Sequence, residues 1–177
     1  MTINGRKVGS MRIGRAHVGD RVVTRQIIDL RLTRGKTSTL VHNDIEAEET
    51  AAGKPLAFHA RTRSSTDDET VDGTIRDDGR FQVATTVGGQ STVRLLEWPG
   101  GASLSEGQRV AIVQHGFAPG TRYSLRVSDP VTPQLATLDT PVLGDDPDAL
   151  PHAGHSLHHL RPTLAHHADQ IIALRFD

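Results

Sequence analysis

The sequence predicts a mainly β protein, an antiparallel meander with one short helix over about 104–115. Three observations predict it. Apolar and polar residues alternate with period two along several segments, the mark of half-buried strands. Glycine-bearing turns recur about every ten to eighteen residues, a spacing that suits a meander better than strand–helix–strand units. A single stretch between Gly100 and Pro119 breaks the alternation and carries helix signals.

The strands follow in order. In "RVVTRQIIDLRLTRG", Ile28, Leu30 and Leu32 point one way and Asp29, Arg31 and Thr33 the other. Gly35 supplies a turn, "STLVHNDIEAEET" follows, and "AAGKP" at 51–55 interrupts the chain again. "LAFHARTRSS" sets Leu56, Phe58 and Ala60 against Ala57, His59 and Arg61. Asp78-Gly79, between Ile75 and Phe81, reads as a two-residue hairpin with positive φ at both positions. Gly88-Gly89 reads the same way between "FQVATTV" and "STVRLLEW".

Ser103 stands three residues before Glu106 and ahead of the apolar run Val110–Val113, the spacing of a capping box. Gly116 and Pro119 close that helix, and Gly107 weakens it by roughly 1 kcal/mol relative to alanine. Beyond it, "TRYSLRVSD" places Tyr123, Leu125 and Val127 on one face, and "QLATLDTPVLG" follows. "DDPDALPHAG" (145–154) is an acidic loop, and "HSLHHLRPTLAHH" and "DQIIALRFD" form a last strand pair.

The 177 residues suit one β-rich domain, 1–177. Six aromatic residues leave the core to Val, Leu and Ile. Residues 1–65 carry 12 basic and 6 acidic groups, whereas 66–177 carry 8 and 15. Those arginines alternate with acids on strands and lack an aromatic platform, so no nucleic-acid partner is expected. The absence of cysteine excludes disulfides, thiolate metal sites and a cysteine nucleophile. No run of 18 apolar residues offers a transmembrane span, and "MTINGRKVGSMRIG" lacks the apolar core of a signal peptide.

No phosphate-binding glycine loop, HEXXH or GxSxG motif occurs. Asp67-Asp68-Glu69 and Asp145-Asp146-Pro147-Asp148 lie in polar turns, where nothing would shift their pKa values toward acid–base work. Six histidines crowd residues 152–167: His152, His155, His158, His159, His166 and His167. On a strand, adjacent histidines diverge to opposite faces, and Pro162 interrupts a helix that would realign them. No thiolate or well-spaced carboxylate completes a tetrahedral site. Neither a catalytic residue, nor a resident metal, nor a cofactor is therefore expected.

"INGRKVGSMRIGRAHVGDRVVTRQIIDLRLTRG" resembles the opening of the β-rich N-terminal, non-catalytic domain of bacterial transglutaminase-like proteins. The likeness continues in order through "ETAAGKPLAFHARTRSS", "GTIRDDGRFQV", "WPGGASLSEGQRV" and "APGTRYSLRVSDP", so it covers nearly the whole chain. The single motifs are turn dipeptides and alternation; their ordered series is more specific than any one of them. The resemblance implies a curved antiparallel sheet similar to lipoprotein-carrier-like domains. It also implies a periplasmic or cell-envelope setting, and a papain-like Cys-His-Asp catalytic domain as partner, in cis or in trans. No catalytic residue transfers, because the chain has no cysteine. Two roles follow: a non-catalytic accessory or interaction domain, or a carrier holding a lipid or acyl chain in the concavity of the sheet.

Overall fold

A computed structural model of the chain describes residues 2–3, 6–34, 37–98, 100–116, 118–128, 135–145, 157–160, 163–164 and 172–175. Strands β1 (Thr2–Ile3) and β2 (Arg6–Lys7) form a small ribbon. The principal sheet contains β3 (Gly9–Val18), β4 (Arg21–Arg34), β5 (Thr37–Thr50), β6 (Pro55–Arg63), β7 (Asp68–Ile75), β8 (Arg80–Val87) and β9 (Gln90–Glu97). Its spatial order is the chain order, and every neighbouring pair is antiparallel. The protein is thus mainly β, with the expected meander and one helix, α1 (Ser105–His115), among the described residues. β3 and β9 are the two edges of the principal sheet, which does not close into a barrel.

Strand register divides the sheet into two faces. The inner face carries Ala47 opposite Phe58, Ile45 opposite Ala60, then Val71, Val83 and Phe81. Leu104 and Trp98 close this cluster from above. Phe81 and Trp98 meet edge to face at 5.3 Å, and Trp98 Nε1 donates to the Ala102 carbonyl at 3.2 Å. Gly73 stands opposite Phe58, and a Cβ there would fall 2.2 Å from the ring, so only glycine lets the aromatic side chain lie flat on β7.

A second sheet has the order β10 (Arg122–Ser128), β11 (Leu135–Asp145), β12 (Leu157–Leu160), β14 (Ile172–Arg175), with β13 (Thr163–Leu164) also on β11. Tyr123, Leu125 and Val127 are buried together, as their alternation predicts, and pack with Val142 and the helical Ile112. Leu104, just before α1, belongs to the first core and Ile112, within it, to the second, so this segment joins the two sheets. Burying an aliphatic side chain of this size contributes roughly 1.5–3 kcal/mol. The terminal strand pairing is present as β12 with β14.

Two local expectations are corrected. Gly88-Gly89 does form a two-residue hairpin, with φ of 58° and 82°. The neighbouring turn does not: Arg76 N–H bonds the Arg80 carbonyl at 2.7 Å, enclosing three residues, Asp77–Gly79. The Gly79 N–H returns to the Arg76 carbonyl at 3.0 Å and Gly79 takes φ 81°, the pattern of a type I turn followed by a left-handed glycine. Asp78 instead accepts the Arg80 backbone N–H at 3.1 Å. The capping box is also absent. Helix α1 has Leu104 at its N-cap with no side-chain cap, and Ser103 bonds the Arg126 carbonyl through both its N–H and its hydroxyl. Gly35 lies outside the described residues.

Candidate functional site

The strongest concentration of chemistry lies where the first turn of α1 meets the inner face of β3–β5. Val41, Asn43, Ile45, Ala47 and Glu49 share one side of β5. The last of these is a carboxylate in a largely apolar series, and it is fully buried at 0% exposure. Its two oxygens accept the backbone N–H groups of Glu106, at 2.5 Å, and Gly107, at 2.8 Å. Those are orphan donors of the first helical turn. Glu49 therefore supplies from a strand the cap that Ser103 was expected to supply locally. Burial raises the Glu49 pKa, against the backbone N–H groups of Glu106, Gly107 and Leu104 that lower it, and the nearby Glu106 charge adds to the rise.

Glu106 points the other way and is 1% exposed. Arg15, on the inner side of β3, binds it through two bonds of 2.8 Å. Arg109, one helical turn on, adds two more at 3.0 and 2.8 Å. Burial opposes ionisation of Glu106, but the two guanidinium groups outweigh it and hold its pKa down at about 2. Two buried carboxylates, two arginines and a helix start thus form one network across β3, β5 and α1. All four oxygens are engaged within the protein.

Backbone packing explains why the network fits. Gly53 (φ 79°) ends the turn between β5 and β6, and a Cβ on it would lie 2.4 Å from the Gly107 Cα. A Cβ on Gly107 would lie 2.7 Å from the Gly53 carbonyl oxygen and 2.8 Å from the Ser103 Cβ. The helix start rests directly on the turn, so Gly107 is there for contact, at the propensity cost expected from the sequence.

The outer face is a grid of cross-strand ion pairs. Arg25 grips Asp44 at 2.8 and 2.5 Å, Arg61 grips Asp68 at 2.9 and 2.6 Å, and Arg21 meets Glu48 at 2.9 Å. His42 lies 2.7 Å from Asp29, and His59 lies 2.7 Å from Asp72. The hydrogen bonds of Arg25 and Arg61 lower the pKa values of Asp44 and Asp68. The expected alternation of arginines with acids on strands is this grid; being exposed, each pair contributes little by itself.

The acids singled out in the sequence are turn and strand groups. Asp67 accepts the Thr66 hydroxyl at 2.7 Å within the turn 64–67. Asp68 opens β7 and Asp145 closes β11; Asp146 and Asp148 lie outside the described residues. His158 and His159 are adjacent on β12, the former opposite Asp145 and the latter opposite Gly144. His152, His155, His166 and His167 lie outside the described residues. Among the described residues no three of His, Asp and Glu converge on a metal position, and no helix is long and apolar enough to cross a membrane. The Tyr123 hydroxyl is buried with no hydrogen-bond partner among the described residues, which pushes its pKa up to about 12.

The Glu49–Glu106 network went unrecognised in the sequence, although it left a signal: a glutamate in the inward register of "VHNDIEAEE". Comparisons with protein-family models, with curated proteins and with solved structures returned no match.

Proposed function

We propose that this chain is a non-catalytic accessory domain of a transglutaminase-like protein, its sheet and helix forming a platform for a papain-like catalytic domain. The ordered motif series carries the resemblance, and one structural observation supports the reading most: the two buried carboxylates are spent on holding the helix to the sheet. Glu49 and Glu106 give all four oxygens to backbone N–H groups and guanidinium groups. An acid or base in catalysis needs an oxygen aimed at substrate. The edge strand β9, with Val93 61% and Leu95 46% exposed, offers surface for association. The test has two arms. Purified protein incubated with glutamine peptides and amine donors should show no turnover. Titration against a papain-like Cys-His-Asp domain encoded in the same genome should show saturable binding. Turnover that a single substitution abolishes, or failure to bind that domain, would remove the reading.

A second reading, a carrier of a lipid or acyl chain on a lipoprotein-carrier-like sheet, draws on the inner face beyond the helix. There Ile13 is 53% exposed beside the half-buried Met11, Ile28, Leu30 and Val41. A fatty acid that protects these positions from hydrogen exchange would favour the carrier over the platform.

A further inference from the structure

We propose that a hollow on the outer face, at the Arg34–Thr37 end of the β4–β5 hairpin, binds an amphiphilic anion: a phosphate or carboxylate group on an apolar stem. Strand lengths create the hollow. β4 and β5 each run 14 residues, whereas β6 runs 9. Pairing with β3 begins at Gly9 opposite Leu30, and pairing with β6 ends at Arg63 opposite His42. The Arg31–Leu40 row therefore has no strand on either side. Val8, whose carbonyl accepts the Arg31 N–H at 2.7 Å, stands to one side, and the turn at Ser64–Ser65 stands to the other. Between them lies a space of about 760 Å³, within the usual range for a small-molecule site.

The charge in this space is one-sided. Arg31 and Arg63 are exposed and have no hydrogen-bond or ion-pair partner for their side chains among the described residues, unlike Arg12, Arg21, Arg25 and Arg61 on the same face. Asp68 stands opposite Arg63 and feels its charge, but makes no ion pair with it, its carboxylate being held in two bonds by Arg61. The one carboxylate lining the hollow, Asp29, is already shared by His42 at 2.7 Å and Arg12 at 3.5 Å. Two open guanidinium groups suit the two-oxygen edge of a phosphate or carboxylate. Leu40, opposite Arg31 and 56% exposed, gives the apolar part of the ligand a surface to cover, with Val8. A lipid headgroup and a soluble amphiphile share this chemistry.

Calorimetric titration of the whole chain with monomeric dodecyl phosphate tests the proposal, beside inorganic phosphate and phosphatidylglycerol vesicles. Dodecyl phosphate should bind one site at least tenfold more tightly than inorganic phosphate. The double variant Arg31→Gln/Arg63→Gln should lose at least tenfold, whereas Arg94→Gln, on edge strand β9, should lose nothing. Leu40→Ser should erase most of the preference for dodecyl over inorganic phosphate. Thermal melting of each variant establishes that it is folded, and all four positions are exposed. Arginine-dependent binding to vesicles as well would identify a lipid headgroup as the source, and binding to dodecyl phosphate alone a soluble amphiphile; both support the site. Equal affinity for dodecyl and inorganic phosphate, equal losses in the Arg94 control, or vesicle binding without monomer binding would overturn it.

Discussion

The Glu49 carboxylate on β5 accepts the backbone N–H of Gly107, 58 residues away in sequence, at 2.8 Å, and so caps a helix from a neighbouring strand. Its other oxygen does the same for Glu106. Strand and helix are thereby fixed to each other through groups that would otherwise be unsatisfied donors in the interior.

Removing that cap is expected to cost more than a surface cap does. Glu49→Ala leaves two buried N–H groups without partners and opens a cavity, a loss of about 2–4 kcal/mol. Glu49→Gln keeps one acceptor and is expected to lose about half as much. Urea unfolding measures both, and an unchanged midpoint for Glu49→Ala would show that water replaces the carboxylate.

Gly53→Ala tests the contact between the turn and the helix. The new methyl meets backbone at Gly107 rather than a movable side chain, and φ 79° already disfavours it. A loss of about 2–4 kcal/mol is expected, against about 1 kcal/mol for Gly19→Ala, where φ is 64° but the Cβ meets nothing. Equal losses at the two sites would mean that the helix start does not rest on the turn.

Gly79→Val isolates backbone conformation in another turn. No atom lies within 4 Å of a Cβ there, so the expected cost of roughly 1–3 kcal/mol comes from positive φ and a β-branched side chain. Asp78→Gly should cost less, since Asp78 contributes hydrogen bonds to Arg80 at an exposed site. Denaturant midpoints should rank the two variants in that order, and the reverse order would contradict the three-residue turn.

Much of the sheet was legible because period-two alternation and glycine turns are local. Tyr123, Leu125 and Val127 share a buried face as their spacing requires. The loop at Asp78-Gly79 is one residue longer than its dipeptide suggests, because the same dipeptide serves both two- and three-residue loops. The cap on α1 departs from its local signal for a different reason. Ser103 and Glu106 have capping-box spacing, but Ser103 pairs with β10 and Glu106 is taken by Arg15 from β3. Long-range register decided between local options of similar energy, and register does not show in a window of a few residues. The Arg31–Arg63 hollow was hidden similarly, since it arises from unequal strand lengths.

The most direct test of the buried network is the pH dependence of unfolding. Glu106 has its pKa lowered from the usual 4.5 to about 2, so the stability it confers is present above pH 4.5 and is lost as pH falls toward 2. Glu49 acts with the opposite sign: its raised pKa confers stability that is present below 4.5 and is lost as pH rises through the folded value. Exposed pairs such as Arg25–Asp44 share the sign of Glu106 but are screened by salt. Urea unfolding of the native protein and of Glu106→Gln, from pH 5 to pH 2 in high salt, separates these effects. The native protein is expected to lose roughly 3 kcal/mol across that range beyond any loss in the variant, with the two curves converging at the acid end. Parallel curves would contradict a buried, ionised Glu106 held by Arg15 and Arg109.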